Sequence, residues 1–169
     1  ITAVPTSGAT ITVDNTAPTA SLAYTVASSA VTAVKQDNAV TIVATFNEDI
    51  AVSPVMQISG SGVQTINATD MTRVSATSYT YAWTAPAGDG TQTFSLATGT
   101  DLAGNVITAV PTSGATITVD NITPTISSVS PATSSFVNHT NVSYTLSEAI
   151  ASGTITWTRT GGTADGTVH

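Results

Sequence analysis

The chain has 169 residues with three basic side chains (Lys35, Arg73, Arg159), ten acidic ones, a formal charge of −7 and no cysteine. That balance excludes a partner with a phosphate backbone, such as nucleic acid, and the missing cysteines exclude a disulfide scaffold and a thiolate metal site. No apolar run approaches the roughly 20 residues that span a bilayer and no basic-then-apolar signal segment stands in the chain, so membrane insertion is not expected.

Residues 1–15 (ITAVPTSGATITVDN) recur letter for letter at 107–121, an offset of 106. The echo continues, with Pro18, Thr19 and Ser21 matching Pro124, Thr125 and Ser127. About 100 residues is the size of one immunoglobulin-like sandwich. The reading is therefore the last strand of one unit at 1–15, a complete unit at 16–121 and the opening of another at 122–169.

Within the complete unit, strands are expected at 20–26, 39–47, 54–60, 63–67, 71–75, 77–84, 91–97 and 115–119. Val40, Ile42, Ala44 and Phe46 fall on one face; Tyr79, Tyr81 and Trp83 share another, as do Gln92, Phe94 and Leu96. Turns are expected at Gly60-Ser61-Gly62, at 86–90 (PAGDG) and at 111–114 (PTSG). Threonine, 35 residues of the chain, suits a pleated surface through its branched β-carbon. No window carries an apolar stripe at helical spacing. The fold class is all-β, as immunoglobulin-like β-sandwich modules in tandem.

In the next unit 142–150 (VSYTLSEAI) parallels 40–50, with Glu148 in the place of Glu48. A third strand is expected at 153–158, with Trp157 buried in the core. The chain ends with about half of that sandwich present. Either it is a piece of a longer polypeptide or neighbouring chains complete it. Segment 1–15 has the same two explanations, donation into a neighbour's sheet edge included.

Three motifs, FNEDI at 46–50, DLAGN at 101–105 and VDNITP at 119–124, give the chain a family likeness. It resembles the bacterial immunoglobulin-like, cadherin-like repeats of giant secreted surface proteins and adhesins. The resemblance implies an extracellular, cell-surface location, tandem arrays and, in many members, calcium at the junctions between units. It implies neither an enzyme nor a particular ligand.

Topology tests calcium without the family. The B–C and F–G loops of a seven-strand sandwich lie at one end, where strand A also begins. That places Glu48 and Asp49, Asp101 and Asn105, and the linker residues Asp14 and Asn15 together. Calcium takes 6–8 oxygens from carboxylates, amides and carbonyls, and four of the ten carboxylates fall here. Asp120, Asn121 and Glu148 form the corresponding set at the next junction. The plainer reading is that Asp and Asn shape turns by bonding their own backbone.

No catalytic chemistry is legible. His139 reads as a surface residue in a polar turn, and no nucleophile elbow, paired-carboxylate cleft or phosphate-cradling loop is present. Sequons at Asn67, Asn121, Asn138 and Asn141 are expected by chance in a threonine-rich chain. The expected function is a spacer in an extracellular surface protein, with neighbouring repeats as partners. A filament subunit assembled by strand donation is one alternative. A module that binds a glycan or host receptor, with Tyr79, Tyr81 and Trp83 as a stacking platform, is another.

Overall fold

The computed structural model describes residue 8 and residues 10–132, 134, 135, 137 and 141–156. These divide into two compact units, Ile1–Ile122 and Thr123–His169. Every regular element among the described residues is a β-strand, and no helix among them is long and apolar enough to cross a membrane.

The first unit contains β1 (Ala20–Val26), β2 (Ser29–Ala30), β3 (Ala33–Val34), β4 (Ala39–Phe46), β5 (Gln57–Gly62), β6 (Ile66–Asp70), β7 (Thr72–Arg73), β8 (Ser78–Thr84), β9 (Gly90–Thr98) and β10 (Thr116–Val119). They form two five-stranded sheets, in the orders β2-β1-β4-β8-β7 and β3-β10-β9-β5-β6. Taking β1, β4, β8 and β7 as strands A, B, E and D, and β10, β9 and β5 as G, F and C, this is the strand order of an immunoglobulin sandwich. All pairings are antiparallel except that of β3 with β10.

Period-2 alternation builds the core. Val40, Ile42, Ala44 and Phe46 are buried, while Thr41 and Thr45 between them are exposed. From the facing sheet come Ile58, Phe94, Leu96, Ile117 and Val119, all buried. The Trp83 and Phe94 rings meet edge-to-face at 5.2 Å, tying β8 to β9 across the sandwich. Tyr79 and Trp83 are also buried, so neither presents a face on which a sugar could stack.

Two expectations about strands need correction. The stretch Gly60-Ser61-Gly62 is the end of β5 and not a turn, and the strand expected at 63–67 lies at Ile66–Asp70. The glycine at 62 is there for close approach: a β-carbon would stand 2.1 Å from the Thr91 carbonyl oxygen, at φ +117°. Strands β2 and β3 were not expected. Ala27 and Ser28, both at positive φ, turn β1 back into β2 within one sheet, and the chain crosses to the other sheet between β2 and β3.

Gln92, on the core face of β9, is fully buried and fully paired. Its Oε1 accepts the Gln64 N–H at 2.8 Å and its Nε2 donates to the Gln64 carbonyl at 2.9 Å. The Gln64 side-chain oxygen in turn accepts the Trp83 indole N–H at 2.8 Å. Gln92→Leu keeps the volume and strands the Gln64 peptide groups, so urea unfolding is expected to show a loss of about 2–4 kcal/mol.

The second unit holds β11 (Ile126–Ser130) and β12 (Ser143–Leu146). Their register, Ile126 with Leu146 and Ser127 with Thr145, repeats that of Ala20 with Phe46 and Ser21 with Thr45. The hydrogen bonds repeat as well. Thr19 and Asn47 clasp through Asn47 N–H to Thr19 C=O (3.1 Å) and Thr19 N–H to Asn47 Oδ1 (2.7 Å). In the second unit Ser147 N–H reaches Thr125 C=O (3.0 Å) and Thr125 N–H reaches Ser147 Oγ (2.9 Å). Residues 152–156 form no strand. Trp157, His139 and Asn138 lie outside the described residues.

Candidate metal centre

Three chain segments meet at the end of the sandwich where the chain enters β1. The loop between β4 and β5 carries Glu48 and Asp49, the loop after β9 carries Asp101 to Asn105, and the entering segment carries Asp14 and Asn15. The base of the loops is fixed by a bridge between Ile50 and Asp101 and another between Thr100 and Val106. Carboxylate oxygens of Asp14, Glu48 and Asp101 lie within 4.8 Å of one another. Together with Thr12, Asp49 and Leu102, they line one surface depression.

Asp101 organises its loop. Its Oδ1 accepts the N–H groups of Ala103 and Asn105, both at 2.8 Å, and its Oδ2 accepts Asn105 Nδ2 at 2.7 Å. The residue is 3% exposed. Burial by itself would raise its pKa; the donors from Asn105, Gly104 and Ala103 outweigh that and hold it below the ordinary carboxylate value. Glu48 is shifted the other way. Desolvation is the main cause, the charges of Asp14 and Asp101 add to it, and a hydrogen bond from Asn47 opposes it.

The cluster fits a divalent ion. Oxygens at calcium distances of roughly 2.3–2.6 Å on opposite sides of one ion stand about 5 Å apart, which matches this spacing, and carboxylates are its preferred ligands. Asp14, Glu48 and Asp101 are the residues that could hold it, with Asp49 on the rim.

The other expected ligands are placed as follows. Asn105 is not aimed at the ion position as an acceptor: its Nδ2 donates to Asp101 Oδ2 and to the Asp14 carbonyl, the latter at 3.1 Å. Two acceptors facing one amide group require the nitrogen there, so Asn105 positions the cluster. Asn15, beside Asp14, is exposed. Asp120 and Asn121, expected at the next junction, follow β10 in the first unit, and both side chains are hydrogen-bonded. Asp120 Oδ1 accepts the Ile122 N–H at 3.0 Å, and Asn121 bonds to Gln36 and Gly88. Glu148 belongs to the second unit, where its Oε1 is buried with no hydrogen-bond partner among the described residues.

The plainer reading of these residues holds as well. Asp14 Oδ1 accepts the Thr16 N–H at 2.9 Å, the same turn that Asp120 makes, and Asp101 shapes the loop of 101–105. Turn formation and ion binding use different lone pairs of the same carboxylates. Sequence reading missed Asn47, which fixes Thr19 and bonds Glu48; its place directly before Glu48-Asp49 was the available signal. No family model matches the chain, and neither a curated protein nor a solved structure matches it.

Proposed function

We propose that this chain is a non-catalytic structural spacer from a long extracellular bacterial surface protein, built of tandem immunoglobulin-like modules and stiffened by calcium where one module joins the next. The observation that carries the reading is the meeting of Asp14, Glu48 and Asp101 at the point where the chain enters the sandwich. An ion there would join the linker to two loops of the module. The 15-residue identity at an offset of 106 supports tandem arrangement, since each repeat of such an array mainly touches its neighbours. Neighbouring repeats are its partners.

Thermal melting in calcium and in EDTA tests the ion. Calcium at 100 times its dissociation constant should stabilise the protein by about 2.7 kcal/mol. Identical melting curves, with no heat of binding by titration calorimetry, would reject it.

A second reading is favoured by one observation. Ile11 and Val13 are 89% and 75% exposed, whereas their repeat twins Ile117 and Val119 are 2% and 1% exposed. A segment with those side chains suits donation into another chain's sheet, which would make the protein a filament subunit. Thr118, the twin of Thr12, pairs with Thr91. That place is thus filled within the chain, and the acceptor would be a unit that lacks its last strand; concentration-dependent oligomers are expected in sedimentation, and a chain that stays monomeric at every concentration would dismiss the filament.

A further inference from the structure

We infer that the first unit is built to bear tension: the segments by which the chain enters and leaves it run side by side in the same direction, joined by one seam that a pull on the two ends loads in shear. The seam lies within that unit and uses no ion. It rests on the spacer reading only in that tension must reach its two ends.

The direction follows from topology. The chain enters β1 at the end of the sandwich that carries Asp101, and β9 runs toward that end from Gly90 to Thr98. Strand β10 is antiparallel to β9, so residues 107–121 descend from the carboxylate end and leave at the opposite one. Strand β1 descends as well, which makes its bridge with the leaving segment, Ser21 to Ser113, parallel. Beyond β2 the chain descends again as β3, which pairs with β10 in parallel, Ala33 with Thr118 and Val34 with Val119.

Five main-chain hydrogen bonds join the two segments. Thr108 N–H donates to Pro18 C=O (2.9 Å), Thr112 N–H to Ala20 C=O (2.7 Å), Leu22 N–H to Ser113 C=O (3.0 Å), Thr118 N–H to Thr32 C=O (3.2 Å) and Asp120 N–H to Val34 C=O (2.9 Å). Side chains add three more. Thr112 Oγ1 donates to Ala20 C=O at 3.0 Å, the Tyr24 hydroxyl donates to Gly114 C=O, and Gln36 N–H donates to Asn121 Oδ1. The seam thus runs from Pro18 at one end of the sandwich to Asn121 at the other.

Hydrogen bonds between strands lie across the strand direction and not along it. Drawing residues 16 and 122 apart therefore slides one segment past the other, and every bond of the seam carries load at once. A pull on the same end of both segments would open the bonds one at a time. Ile117 and Val119, both buried, oppose sliding as well, because a slip in register takes them out of the core.

Single-molecule force clamping on the full chain, in EDTA, tests this. The chain has no cysteine, so cysteines placed at exposed positions choose the pulling points: Thr16 with Ile122 for shear, Thr16 with Val106 for peeling. Forced unfolding reports the unfolding rate. One hydrogen bond held up to the barrier is worth about 2–10-fold in that rate, so at equal force the shear pair should unfold at least about tenfold more slowly than the peeling pair. A smaller ratio would overturn the inference. Thr112→Val and Thr98→Val form a matched pair: each removes one hydroxyl bond to a carbonyl, to Ala20 within the seam and to Val55 outside it. Under the shear pull Thr112→Val should unfold about 2–10-fold faster, and Thr98→Val at the wild-type rate. Equal effects of the two would also overturn the inference. A weak seam in a chain that binds calcium would leave the ion reading standing. A strong seam in a chain that binds none would remove the ion and leave the seam.

Discussion

Gly114→Ala is expected to destabilise the first unit by about 2–5 kcal/mol, the sum of a left-handed backbone cost of about 1–2 kcal/mol and an overpacking cost of about 1–3 kcal/mol. The same change at Gly8, its repeat twin, should cost only the backbone part, about 1–2 kcal/mol. Both glycines have nearly the same backbone, φ +69° and +68°. Their surroundings differ. A β-carbon at Gly114 would stand 1.9 Å from the Leu22 carbonyl oxygen, while one at Gly8 meets nothing within 4 Å.

The clash at Gly114 is with backbone, so no rotamer relieves it. The neighbouring chain is held on both sides: Leu22 N–H donates to Ser113 C=O at 3.0 Å, Thr112 N–H to Ala20 C=O at 2.7 Å, and Phe94 N–H to Ala115 C=O at 2.7 Å. The buried phenol of Tyr24, its pKa pushed upward by desolvation, donates to the Gly114 carbonyl. Segment 107–115 is thereby wedged between β1 and β9, and shifting it would break contacts to both sheets. Thermal melting checks the pair, with a fall of more than about 10 °C expected for Gly114→Ala. Equal shifts for the two variants would mean that backbone strain, and not the approach of Leu22, sets the cost.

The repeat that makes this comparison possible was plain in the sequence, and so was most of the fold. Strands such as Val40 to Phe46 announce themselves by alternation, since one sheet face is buried and a slip of one residue would expose it. The turn at Gly60 to Gly62 was misread for a physical reason: glycine also marks close backbone approach, which depends on a strand about 30 residues later. The two-residue strands β2 and β3 are too short to carry a period. The carboxylate cluster was legible because loops at one end of a sandwich follow from topology. The direction of the Asn105 amide was not, because it depends on the Asp14 carbonyl. Nor was the clamp on Asn121, whose partners Gly88, Asp89 and Gln36 are 32 to 85 residues away and share no pattern with it.

Asp101→Ala and Glu48→Gln should move metal-free stability in opposite directions while both weaken ion binding. Removing the Asp101 carboxylate strands the Ala103 and Asn105 N–H groups and the Asn105 amide, so the protein in EDTA should melt lower. It also removes a ligand, so calcium affinity should fall by more than the about 10–100-fold lost with a merely supporting partner. Glu48→Gln instead removes a charge that desolvation, Asp14 and Asp101 all disfavour. In EDTA near neutral pH that variant should melt higher than wild type, although it has lost a ligand.

The pH dependence separates the two groups. Glu48 has a folded-state pKa above its ordinary 4.5, so the folded protein holds its proton more tightly than the unfolded chain. Metal-free stability should fall as pH rises from 4.5 through the raised value, and Glu48→Gln should flatten that fall. Asp101 has a folded-state pKa below its ordinary 3.8. Its contribution is present above 3.8 and is lost as pH drops through the lower value. Calcium must displace the Glu48 proton, so the stabilisation it confers should grow with pH across the window in which the metal-free protein weakens. Melting in EDTA and in calcium between about pH 4 and 8 measures both slopes. A calcium increment independent of pH would exclude Glu48 as a ligand and leave Asp14 and Asp101 to hold the ion.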